Sequence, residues 1–206
     1  MNKAILIPIK PIWCAKIMNG DKTIEVRKNK ALYKATIKLI KKQGYATFYM
    51  YCTKDKLGLF KNSPSIYKLT KEQYDIVDDV KHNNGMFEIL NGKVVAKFTV
   101  RKAEEIECAI DYDHEDGRSC TYHTDSICQE ILGECSCLYD DIDEYLDWKP
   151  DNIVGHAYRI EDLVIFDEPK ELSEFQKPRT FVEKVWGIPY KLTKAPQNFC
   201  YVESEE

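Results

Sequence analysis

The chain has 206 residues, a formal net charge of -4, and 44% hydrophobic and 12% aromatic residues. That suffices for one well-packed domain of about 150 residues with elaborations, and an apolar content near the globular norm excludes wholesale disorder. The longest apolar runs, such as Ala4 to Ile9, stop far short of the roughly 18 residues of a membrane span, and no basic-then-apolar leader opens the chain, so no membrane association and a cytoplasmic address are expected.

In chain order, Lys3 to Ile9 reads as a first strand, and Pro11 suits the first turn of a helix that runs to Met18 and is stopped by Asn19-Gly20. Thr23 to Arg27 alternates with period two, which puts Ile24 and Val26 on one face and Thr23, Glu25 and Arg27 on the other. Tyr45 to Cys52, rich in aromatic and apolar residues, is a further strand. Thr70 to Val80 resembles a helix capped by Thr70 with Gln73 as the capping-box partner. Asn91-Gly92 predicts a hairpin turn between Met86 to Leu90 and Lys93 to Val100.

From about Cys108 to Leu138 the pattern deteriorates into short polar stretches, and residues 103–138 read as an insertion or mobile lobe within one domain spanning 1–206. A helix follows over Tyr139 to Asp147 on the stripe Ile142, Tyr145 and Leu146. Two strands come next, Ile153 to Ile160 and Leu163 to Phe166, the second ended by Pro169. A largely irregular tail and a closing strand over Gln197 to Val202 complete the chain.

The small net charge conceals a division. Residues 1–102 carry 21 Lys/Arg against 8 Asp/Glu, a net +13, whereas residues 103–206 carry 9 against 26, a net -17. Either the halves neutralise each other on folding, or the first half offers a basic face to a phosphate-bearing partner.

Five of the eight cysteines (Cys108, Cys120, Cys128, Cys135 and Cys137) fall within 30 residues, beside His114 and His123. Their gaps of 11, 7, 6 and 1 intervening residues lack the paired spacing of a zinc site, so reduced thiols, no metal and no cofactor are expected. There is no Walker loop, dinucleotide fingerprint, HExxH or GxSxG, and His82, His114, His123 and His156 are scattered.

The densest chemical signal is Gly20-Asp21-Lys22-Thr23-Ile24-Glu25-Val26-Arg27. A helix ends at the glycine and a strand starts after the lysine, leaving Glu25 and Arg27 on one strand face. Glu25 can orient Lys22 or Arg27 by a charge-assisted hydrogen bond, and the arginine fork can grip a phosphate or a base edge. A salt-bridged sheet face without a ligand is the alternative. Lys34, Lys38, Lys41 and Lys42 follow closely, as either a nucleic-acid patch or a solvated helix face.

This octapeptide matches the GxKxxExR pattern of the ASCH family, small domains that resemble the PUA domains of RNA-modifying proteins. Ile7-Pro8-Ile9-Lys10-Pro11, Cys137-Leu138 with the helix after it, Gly155-His156-Ala157-Tyr158-Arg159-Ile160, Phe166-Asp167-Glu168-Pro169-Lys170 and Ala195 to Val202 also look like bacterial and phage members. The resemblance spans roughly residues 3–203. It implies an α+β fold, a PUA-like partly open β-barrel with flanking helices and the cysteine-rich segment as an insertion.

The resemblance also implies a cleft lined by Lys22, Glu25 and Arg27 that binds RNA, a nucleotide or a modified base. Placement adds Lys10 at the strand end and Trp13 in the first helical turn, the latter either stacked on a base or anchored in the core.

One branch of the family hydrolyses the acetamide of N4-acetylcytidine with a catalytic Lys, Thr and Glu. Lys22 matches that lysine, but Glu25 stands where the threonine belongs. An amidohydrolase reading would make Lys22 the base, Glu25 a proton relay and Arg27 the oxyanion partner. A third reading is a regulatory module whose acidic second half binds a protein.

Overall fold

The computed structural model describes residues 3–54, 92–113, 117–121, 129–138, 145–146, 152–178 and 191–204. The helix expected over Thr70–Val80, the strand expected over Met86–Leu90, the helix expected over Tyr139–Asp147 except residues 145–146, and most of the irregular tail lie outside them. The elements are β1 (Lys3–Ile9), α1 (Pro11–Met18), β2 (Ile24–Arg27), α2 (Lys30–Gln43), β3 (Ala46–Cys52), β4 (Val94–Val100), β5 (Ala103–Asp113), β6 (Gly117–Thr121), α3 (Gln129–Ser136), β7 (Asn152–Arg159), β8 (Glu161–Lys170), a 3-10 turn (Leu172–Glu174) and β9 (Cys200–Glu203). The fold is therefore α+β, with more strands than helices among the described residues. None of the described helices is long and apolar enough to cross a membrane.

The described strands form two open sheets, ordered β8-β4-β3-β1-β9 and β2-β7-β5-β6. Neither closes into a barrel, because the outer strands of each sheet do not pair with one another. The chain divides into two compact units, one comprising Met1–Asn19, Thr47–Phe98 and Asp162–Glu206, the other Gly20–Ala46 and Thr99–Glu161.

In the first unit, β1 and β3 run parallel in the middle of the five-stranded sheet, with Ile5 opposite Phe48 and Ile9 opposite Cys52. Central strands covered on both faces read as continuous apolar runs, and all seven residues of β3 are buried. Phe48 stacks on Phe98 with ring centroids 5.3 Å apart, and Phe175 meets Tyr49 edge-on at 4.9 Å. β9 pairs antiparallel to β1, placing Val202 opposite Ala4. Pro169 does not end β8, which continues to Lys170. An edge strand tolerates a residue that cannot donate to the ladder.

In the second unit, β7 lies between β2 and β5, antiparallel to both. One face of this sheet buries Ile24, Val26, Ile106, Val154 and Ala157 with Leu132 of α3 and Leu146. The opposite face carries His156 of β7, on whose ring Tyr33 of α2 stacks. Residues 103–138, expected to be irregular, thus include two strands and a helix. Their alternation is obscured by acidic residues such as Glu104, which stays buried because Lys102 approaches it to 2.7 Å and Arg159 to 3.5 Å.

Candidate functional site

Gly20 takes φ +82, the left-handed conformation that closes α1 after Met18 and turns the chain toward β2. Lys22 then sits one residue short of the expected strand start and two short of β2 itself. Its side chain folds inward, leaving the residue only 4% exposed. The ammonium donates to the carbonyl oxygen of Ile24 at 2.8 Å and to that of Ser136 at 2.7 Å, and lies 3.4 Å from Glu25 Oε2. A lysine has three protons, and these three oxygens match them.

The end of α3 explains why a cation is held there. Cys137 adopts φ 57, its N–H bonds the Glu134 carbonyl, and the Leu138 N–H reaches back to the Gly133 carbonyl. This Schellman ending satisfies two carbonyls and leaves those of Cys135 and Ser136 without helical partners. The Thr23 N–H takes the first at 2.8 Å and Lys22 takes the second. The Cys137 thiol adds a bond to the Asp21 carbonyl at 3.3 Å. Residues 21–23 and 135–137 are thereby clasped together, with a positive charge at the negative end of a helix.

Glu25 is 5% exposed, and its Oε1 accepts from Arg27 Nε at 2.6 Å. The Lys22–Glu25–Arg27 set expected from the sequence is therefore brought together as a chain of charges, of which Arg27, with 24% of its side chain exposed, is the member that reaches solvent. Burial lowers the Lys22 pKa, and the attraction of Glu25 is the main opposing influence. Tyr145 hydrogen-bonds the Val26 carbonyl at 3.4 Å, and Lys28 Nζ sits 5.1 Å from the centre of its ring.

His156 lies directly across from Arg27 in the β2–β7 register. Its Nδ1 is 3.2 Å from the Arg27 carbonyl, so Nδ1 carries the proton that is donated there. Nε2 is buried 3.9 Å from Glu105 Oε1, beyond hydrogen-bond reach. Burial lowers the His156 pKa, against the pull of the Arg27 carbonyl and Glu105. Between the lowered folded value and the ordinary value of about 6.5, the unfolded chain binds a proton that the native chain does not. Stability should accordingly fall as pH drops from 7.5 toward 5.5. Urea unfolding of His156→Asn across that range should show a flatter dependence; an unchanged slope would remove His156 as its source.

α2 is capped by Asn29, whose Oδ1 accepts from the Leu32 N–H at 3.0 Å. It buries Leu32, Ala35, Thr36 and Leu39 and exposes Lys30, Lys34, Lys38, Lys41 and Lys42. The helix contains no acidic residue, and among the described residues none of these five lysines is ion-paired. Lys10, exposed before α1, and Trp13, half-buried with Lys16 Nζ 5.3 Å from its ring centre, belong to the first unit. Sequence reasoning missed Tyr33 and the α3 end as parts of this neighbourhood. Tyr33 stood among the lysines, but the histidine beneath it lies on a distant strand.

The chain matches no model of a known protein family, and no curated protein matches it.

Proposed function

We propose that this protein binds RNA or a nucleotide, as an ASCH-type, PUA-like protein whose second unit presents Arg27 and the α2 lysines to phosphate. The observation that carries this reading is α2 itself, a helix with five exposed lysines, no acid and a separate buried face. Five exposed lysines with no acid among them give this helix a field of one sign, which suits a polyanion. Glu25 holds the Arg27 guanidinium by its Nε, which fixes a side chain that is 24% exposed.

Binding of a fluorescently labelled single-stranded RNA, followed by anisotropy against salt, tests the reading. Reversing Lys34, Lys38, Lys41 and Lys42 to Glu should weaken binding at least about 100-fold at low salt, and neutralising them should flatten the log K against log salt slope by about 0.7 for each phosphate that is no longer neutralised. Arg27→Ala should weaken binding further. Equal affinity of the reversed variant, or no binding at low salt, overturns the reading.

The amidohydrolase alternative draws on one observation, the lowered pKa of Lys22. A base must release its proton and receive another, whereas Lys22 is buried and bonded to two carbonyls. Acetate release from N4-acetylcytidine above the level of Lys22→Ala is the outcome that would favour it over simple binding.

A further inference from the structure

We infer that α2 carries a base-stacking seam beside its lysine ridge, with Tyr33 as the platform, so that the preferred ligand is a single strand with unpaired bases. The inference rests on the nucleic-acid reading above. At 3.6 residues per turn, Tyr33, Ile37 and Ile40 follow one another at i, i+4 and i+7 along one side of the helix. All three are half-buried. Lys30, Lys34, Lys38 and Lys41 form the adjacent exposed ridge, about 16 Å long at 1.5 Å per residue. Leu32, Ala35, Thr36 and Leu39 occupy the third, buried side.

Backing makes Tyr33 a platform rather than a loose side chain. One face of its ring lies on His156, with centroids 4.5 Å apart and planes 27° from parallel, and His156 is itself tied to the Arg27 carbonyl. A ring held in this way loses little freedom when a base settles on its other face. Glu105, on β5, acts on the tyrosine from the sheet side, which disfavours phosphate there and leaves the lysine ridge as the favourable track. Phosphates on the ridge and bases on the seam fit a single strand. In a duplex the bases are already stacked on one another.

The experiment compares three labelled probes on the full chain: a single-stranded RNA, an abasic strand of equal length, and a duplex. The wild-type protein should prefer the base-containing strand over the abasic one by about tenfold. Tyr33→Leu should abolish that preference while keeping the salt slope, and Tyr33→Phe should retain it, with thermal melting confirming that both variants are folded. Equal binding of abasic and base-containing strands by the wild type, or a preference that survives Tyr33→Leu, overturns the seam and leaves phosphate binding intact. Failure to bind any probe at low salt overturns the nucleic-acid reading and the seam together.

Discussion

Lys22→Ala should lower folding stability by about 3–5 kcal/mol, far more than removal of any exposed lysine of α2. Three groups lose their partner at once: the carbonyls of Ile24 and Ser136, at 2.8 and 2.7 Å, and the Oε2 atom of Glu25 at 3.4 Å. Alanine is too short to reach any of them, and at a site this closed to solvent water cannot replace the ammonium without rearrangement. The charge alone contributes unfavourably, since burial lowers the Lys22 pKa; the stabilisation comes from the hydrogen bonds it donates. Lys34→Ala, at an exposed position, should stay within about 0.5 kcal/mol of wild type. Urea unfolding midpoints that are alike for the two variants would show that the clasp contributes nothing.

A second large effect belongs to Gly155 and Leu146. A Cβ on Gly155 would lie 2.7 Å from Leu146 Cδ2 and 3.6 Å from Ile106 Cδ1. Leu146 is 2% exposed inside the cluster of Ile24, Val26, Ile106 and Leu132, so its methyl group has little room to withdraw. Gly155→Ala should therefore be destabilising by about 1–3 kcal/mol through overpacking. Leu146→Ala should be destabilising by about 2–5 kcal/mol through the space it leaves. In the double variant the added methyl moves into that space, and the combined loss should be smaller than the two single losses added together. Losses that add to within about 0.5 kcal/mol would mean that the two positions do not share the space.

Elements whose limits are set by neighbouring residues were legible. β1 and α1 run over Lys3–Ile9 and Pro11–Met18 as expected, because an apolar run, a proline at the first helical position and Asn19-Gly20 all act within a few residues. The alternation in β2 put Ile24 and Val26 together, and both enter one core cluster. It did not announce that Glu25, on the other face, is also buried. That depends on Arg27 and Lys22 neutralising it within the fold.

The closing strand is shorter than its alternation suggests, Cys200–Glu203 rather than Gln197–Val202, since its length is set by the part of β1 it can pair with. β5 was obscured for a related reason. Its acidic residues break the apolar alternation, and only partners such as Lys102 and Arg159 make the burial of Glu104 tolerable.

By itself the sequence determined the α+β character, the concentration of positive charge in the first 102 residues, and the grouping of Lys22, Glu25 and Arg27 around one short strand. Hydrophobic period and charge order along the chain are local quantities, and they suffice for that much. Only the tertiary structure decided that Lys22 closes the end of a helix 114 residues away, that Arg27 is the member of the set that meets solvent, and that Tyr33 rests on His156. The physical reason is that an unsatisfied carbonyl or an open ring face takes the partner that folding brings within reach, and no local pattern records how far along the chain that partner lies.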